Sequence, residues 1–308
     1  CRSVKVLEPW LFSAGDRVLL IQMQGAYIDL TNTSNFGTIQ NLNGAGNYEF
    51  LDVDSISGNV ILFEQIISRD YDAGASVQLI KVPQFANADI IGQLTATPWD
   101  GNIGGVLVFE VTDTLNLGAN IDVSENGFRG AIDVNYSVND NCGNPDYFYS
   151  APPTNAAYKG EGVVILSTAY QCGRGAAANG GGGGNGWNHG GGGGGNGGSG
   201  GVSGTDWCAF SGNWPTYFET MGGKALPFDT ATNKIFLGGS GGAGEENNDV
   251  GTAGKNGGGI VIIKAGTVVG NNAAIISNGG NAATAANDGA GGGGAGGFRT
   301  SFPGGTKL

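Results

Sequence analysis

Short apolar or alternating runs, bounded by turns rich in glycine and asparagine, set the texture of the first hundred residues. Arg17–Met23, Tyr48–Val53, Asn59–Ile67 and Ser76–Val82 have the length and composition of strands. Ala14-Gly15-Asp16, Asn43-Gly44-Ala45-Gly46 and Asp72-Ala73-Gly74 punctuate them with residue types that reverse a chain. Ser57-Gly58-Asn59, between two such runs, predicts a tight hairpin. No stretch carries the 3.6-residue apolar period of a capped amphipathic helix. Residues 1–103 therefore read as an N-terminal β-sandwich or barrel, and the whole chain as all-β.

From Gly104 the pattern changes and a repeat appears. Gly104-Gly105-Val106-Leu107-Val108-Phe109-Glu110-Val111 returns as Gly258-Gly259-Ile260-Val261-Ile262-Ile263-Lys264-Ala265. At the same offset Ala119-Asn120-Ile121 is echoed by Ala273-Ala274-Ile275. Gly160–Leu166 is a shorter copy, and Asn233–Leu237 reads as a further strand. Between these runs lie glycine tracts: residues 180–204 hold 17 glycines in 25 positions. Their other residues fall every third place, at Asn196, Ser199 and Val202, then at Leu237, Ser240 and Ala243. Three residues per turn is the period of the polyproline-II helix, which makes no internal hydrogen bonds. Buried, such a backbone must bond its neighbours, and only glycine lets backbones come that close. Residues 104–308 are thus expected to be a glycine-rich domain of strands interleaved with packed polyglycine-II helices. A flexible linker is the competing reading of such composition.

Glycine makes up 62 of the 308 residues. Lys and Arg total 14 against 26 Asp and Glu, a net charge of −12, which argues against nucleic acid as a partner. No apolar run is long enough to span a membrane. With one histidine, His189, and no G-x-x-x-x-G-K-[ST] loop, the sequence gives no basis for catalysis or a nucleotide cofactor. Calcium is the ion best served by the oxygen donors present, with Asp140, Asp146, Glu245, Glu246 and Asp249 as ligand candidates, although neither cluster fits an EF-hand frame. Aromatic residues gather at Trp207, Trp214 and Tyr217 and again at Tyr147 and Tyr149, in loops suited to contacting a ligand. Trp187 instead suits the end of a glycine bundle that has no side chains of its own.

Cys1, Cys142, Cys172 and Cys208 form an even set without C-x-x-C spacing, which points to disulfides and an oxidising, extracellular setting. Three pairings are possible, Cys1–Cys142 with Cys172–Cys208 among them. The chain opens without a visible signal peptide and reads as a piece of a longer secreted protein.

Gly15–Ala26 (GDRVLLIQMQGA), Gly46-Asn47-Tyr48-Glu49-Phe50, Trp99-Asp100-Gly101, Gly127-Phe128-Arg129-Gly130 and Ala178–Asn185 resemble segments of glycine-rich surface proteins of gliding bacteria. The family is that of the very large Bacteroidetes exoproteins and adhesins exported by the type 9 secretion system, together with adventurous-gliding proteins. A looser likeness is to the extracellular glycine-rich domain of the anaplastic lymphoma kinase receptor. The resemblance implies an extracellular, surface-displayed, non-enzymatic module of a giant chain. Its partners would be the secretion machinery during export, the rest of the same chain, and a cell-surface glycan or abiotic surface. It further implies O-glycans at Ser55, Thr114 and Thr230, each of which follows an aspartate. A purely structural shaft or spacer is the alternative, with ice binding or a phage-type tip adhesin as more distant ones.

Overall fold

The structure, a computed structural model, describes residues 1–133, 145–154, 156–204, 218–227, 233–246, 251–285 and 288–297. Among these the chain is all-β, and its helical content is two single 3-10 turns, at Pro9–Leu11 and Thr168–Tyr170. The strands are β1 (Ser3–Lys5), β2 (Arg17–Gln22), β3 (Tyr27–Ile28), β4 (Ile39–Asn41), β5 (Tyr48–Ser57), β6 (Val60–Phe63), β7 (Val77–Lys81), β8 (Gln84–Phe85), β9 (Ala88–Ile90), β10 (Val106–Leu117), β11 (Ile121–Asp122), β12 (Ile260–Val269) and β13 (Ile275–Ile276).

The four runs legible at the start of the chain become β2, β5, β6 and β7. With β1 they form an antiparallel sheet in the order β1-β6-β5-β2-β7. The predicted hairpin is present: Ser57 faces Val60 across Gly58, whose φ of 60° is the left-handed conformation glycine takes without strain. Strand β2 is apolar without alternation because both faces are covered. Val18 and Leu20 join one cluster with Leu51, Val53, Ile61 and Phe63. Leu19 and Ile21 point the other way, into a cluster with Phe128, Val163, Leu237 and Ile260 from the glycine-rich half. The sheet is open, and residues 1–103 also form the separate two-stranded sheet of β3 and β4, whose Ile28 and Ile39 pack in the same cluster as Leu19 and Ile21 together with residues of the glycine-rich half.

The sequence repeat is a structural repeat. Strands β10 and β12 lie side by side in parallel, with Val106 opposite Ile260 and Phe109 opposite Ile263. The echo at the second strand is kept, since β11 pairs with β13 and Ile121 faces Ile275. Stacking equivalent positions puts like residues against like, so Val111, Ile121, Val261 and Ile263 share one dry core. Strands β8 and β9 add to the other edge of β10, also parallel. The change of composition at residue 104 is therefore not a sheet boundary.

Beyond the stack the glycine tracts lie against one another, and residues 238–245 occupy the middle. Gly238, Gly241 and Gly244 donate to the carbonyls of Gly258, Lys255 and Thr252. Gly239, Gly242 and Glu245 donate to Gly195, Gly192 and His189, while Ser240 and Ala243 donate to Glu161 and Tyr158. The carbonyls obey the same rule: 238 and 241 accept from Phe128 and Ala131, 240 and 243 from Gly181 and Gly184, and 239, 242 and 245 from Ala295, Gly292 and Gly289. All of these bonds measure 2.9–3.3 Å. The bonding direction thus repeats every three residues, and six neighbouring segments surround this one. A β-strand, whose period is two, bonds only two neighbours.

That geometry explains two corrections. Gly160–Leu166 and Asn233–Leu237 do not form strands. Their backbone groups go to several partners in different directions; Val163, for example, accepts from both Gly25 and Ala26. It also explains the spacing of side chains. Leu237, Ser240 and Ala243 are each fully buried. Ser240 Oγ lies 2.6 Å from the Arg129 carbonyl and 3.1 Å from that of Glu161, and Ala243 packs with Ala131 and Ala157.

Candidate functional site

A cleft of about 660 Å³ opens where the loop after β9 meets residues 129–132 and 158–166. At its centre the Glu161 carboxylate is held from three sides. It accepts from Trp99 Nε1 at 3.0 Å, from the Arg129 amide at 2.9 Å and from Arg129 Nε and Nη2 at 3.2 Å each. The resulting ion pair is fixed at both ends, and the carboxylate raises the Arg129 guanidinium above its ordinary pKa. Trp99 is buried and meets the Phe128 ring edge-on at 5.9 Å. Two of the segments that carry the family resemblance, Trp99-Asp100-Gly101 and Gly127-Phe128-Arg129-Gly130, thereby come together at this cleft. Gly101 lies beside the guanidinium with φ of 106°, a conformation that other residues rarely adopt.

Two residues from Glu161 the chain buries a cation without a carboxylate. Lys159 Nζ donates to the carbonyls of Tyr147 and Gly173 at 2.6 Å and of Gly175 at 2.8 Å, and stands 4.8 Å from the centre of the Phe36 ring. Burial pushes this ammonium well below its usual pKa, while its three carbonyl acceptors favour the charged form, since only an ammonium has three protons to give. Phe36 in turn stacks on Phe148 at 5.5 Å. The arrangement ties the first forty residues to the glycine region.

His189 is buried, and Ser203 Oγ lies 2.9 Å from its Nε2. The proton order is wrong for a catalytic dyad. Nδ1 accepts from the Asn185 amide, so the neutral ring carries its proton on Nε2 and donates to the serine. The Ser203 hydroxyl donates to the Gly204 carbonyl at 2.8 Å. The ring thus links the Asn185 amide to the Ser203 hydroxyl.

The sequence candidates are dispersed. Trp207, Trp214, Tyr217, Thr230, Asp140, Asp249, Cys142 and Cys208 lie outside the described residues. Tyr147 lies under the Arg174 guanidinium, 3.8 Å from its ring centre. Tyr149 bridges to Cys172 through backbone, and burial pushes its hydroxyl up to about 12. Cys1 is an exposed free thiol and Cys172 a buried one; each expected pairing involves a residue outside the described set. Burial pushes the Cys172 thiol up to about 12. Asp146 accepts from Asn32 at 2.6 Å, whereas Glu245 and Glu246 are buried elsewhere in the glycine region. Among the described residues no three His, Cys, Asp or Glu side chains converge on a point that could hold a metal ion. Ser55 is exposed on β5 with its hydroxyl 3.0 Å from Asp54, while Thr114 is half-buried on β10, between two neighbouring strands. Among the described residues no helix is long and apolar enough to cross a membrane.

The sequence reading passed over Lys159 and Glu161. A lone Lys and a lone Glu between alanines and glycines carry no motif, and only the fold supplies their partners. Arg129 was marked by the resemblance alone. No protein-family model matches the chain, and no curated protein or solved structure is significantly similar to it.

Lys234 sits in a second cage of acceptors, beside residues 43–47. Its Nζ donates to the carbonyls of Asn43 and Ala45 and to Asn47 Oδ1 at 2.8–2.9 Å. Burial, assisted by Arg69, lowers its pKa to about 8. The unfolded chain holds this proton up to about pH 10.4. Between the two values the unfolded state binds more protons, so the contribution of this group to stability rises with pH. The expected result is a Lys234 side-chain NMR titration centred near pH 8, and a stability gain from pH 8 to 10 that Lys234→Gln lacks. A midpoint at the ordinary lysine value would contradict it.

Proposed function

We propose that this chain is a non-catalytic extracellular module of a large cell-surface adhesin or gliding-associated exoprotein, in which a bundle of packed polyglycine-II helices gives a stiff mount for surface attachment. The observation that carries the proposal is the three-direction bonding of residues 238–245. A helix of three residues per turn has no internal hydrogen bonds and sends successive amides out at one-third turns, as these do. Ordering glycine costs more backbone entropy than ordering any other residue, so a tract that served only as a tether would stay loose. A tract bonded on every side offsets that cost and resists bending and proteolysis, which suits a part that bears load between a cell and a surface.

Three further features support the reading. The donor role of His189 toward Ser203 fits a structural residue. The net charge of −12 fits an exported protein with no nucleic-acid partner. Two of the segments resembling gliding-bacterial exoproteins meet at one cleft. Export by the type 9 secretion system, glycosylation at the exposed Ser55 and a glycan or abiotic surface as partner belong to the same proposal. A shaft or spacer with no ligand of its own is the rival.

The discriminating experiment coats beads with the 308-residue protein and measures their retention under flow. The surfaces are glass, polystyrene and a film of neutral polysaccharide. Retention well above that of albumin-coated beads on at least one surface is the expected result. Retention equal to the blank on all three would leave the spacer reading standing.

A further inference from the structure

The 660 Å³ cleft around Arg129 and Glu161 is built as a binding site, and we infer that its ligand is a short, neutral oligosaccharide. Its size falls within the range of small-molecule sites. One wall is apolar and open to solvent: Ile165 is 53% exposed and Ile132 64% exposed, beside Val164 and Leu166. The lining also includes planar polar side chains held in place by bonds within the protein. Arg129 is fixed by its paired bonds to Glu161, and among the described residues its Nη1 has no internal acceptor. Gln24 donates to the Gly162 carbonyl at 2.8 Å and lies 3.2 Å from Ser76 Oγ. Gln171 donates to the Leu166 carbonyl at 3.3 Å. The Tyr158 ring completes the lining.

The charges are already spent. Arg129 is compensated by Glu161, and Lys159 turns its ammonium away into the carbonyls of Tyr147, Gly173 and Gly175. Glu161 neutralises Arg129, so an anionic ligand would meet no net positive charge here. A wholly apolar ligand would leave Arg129 Nη1 without an acceptor. A pyranose satisfies both sides, because its C–H face lies on apolar or aromatic surface while its hydroxyls pair with planar donors and acceptors. The inference deepens the attachment reading by naming a ligand class for it.

The test is isothermal titration of the intact 308-residue protein with maltotriose, cellotriose, mannotriose and triacetylchitotriose, and with trigalacturonate as the anionic comparison. Saturable binding of at least one neutral trisaccharide below about 1 mM is expected. Ile165→Asp, which places a charge on the exposed apolar wall, and Arg129→Gln should each weaken binding at least about tenfold, the worth of one hydrogen bond to a charged group. Circular dichroism and thermal melting of both variants check that the fold is kept. Should Arg129→Gln fail to fold, Ile165→Asp decides alone. No binding by any neutral trisaccharide, preference for trigalacturonate, or binding that Ile165→Asp leaves unchanged would overturn the inference. Bead retention that survives Ile165→Asp would overturn this site while sparing the attachment reading.

Discussion

Replacing Gly242 by valine is expected to abolish the native fold of the glycine-dense half, at a cost of at least about 4 kcal/mol. A Cβ at 242 would lie under 3.0 Å from carbonyl atoms of Gly182, a distance real side chains do not show. Relief would require the tract to move away, yet its amide and carbonyl are bonded to Gly192 and Gly292 on other sides. The strain therefore spreads to three neighbours at once. Gly197 is the control in the same sequence context: it is exposed, and a Cβ there meets nothing within 4 Å. Gly197→Ala should be neutral or stabilising by about 0.4–1 kcal/mol, through the unfolded state alone. Paired denaturation curves decide the matter. Equal and small effects at the two positions would mean that the tracts are not in contact as described.

The second large effect is expected at Lys159. Methionine is close in size but cannot donate. The carbonyls of Tyr147 and Gly173 keep one partner each, from Gly175 and Gly183, while that of Gly175 is left buried with none among the described residues. Loss of three charge-assisted bonds, with one carbonyl orphaned, should cost about 2–4 kcal/mol even after the relief of no longer burying a charge. Lys159→Arg should not rescue, since a planar fork cannot reach three carbonyls arranged around a point. Urea unfolding of both variants measures this. A methionine variant as stable as the parent would show the ammonium to be incidental.

These two positions also mark how far the sequence could be read. The glycine tracts announced themselves by composition and by the spacing of Leu237, Ser240 and Ala243, because a three-residue period leaves its trace wherever a side chain is tolerated. The repeat between residues 104–111 and 258–265 was legible as identity of pattern and became register, since stacked parallel strands place equivalent residues opposite one another. Gly160–Leu166 and Asn233–Leu237 misled because an apolar, β-branched run looks the same whether its neighbours are strands or glycine tracts. At residue 104 composition changes while hydrogen bonding continues across that point, because β8 and β9 pair with β10. The Lys159 cage was not legible at all. It is made of backbone carbonyls, which every residue has, and only the fold selects which three converge. Of the cleft, Trp99 and Arg129 could be marked by resemblance, while Glu161 needed the tract geometry that brings residues 129 and 161 together.

The central claim is that the glycine tracts are ordered by bonds to one another. Native-state amide hydrogen exchange tests it most directly, read residue by residue over 181–184, 191–195 and 238–245. The account predicts that these amides are among the slowest in the protein and exchange only as the whole fold opens. Exchange at unprotected rates across all three segments, while the amides of β2 and β10 stay protected, would contradict it.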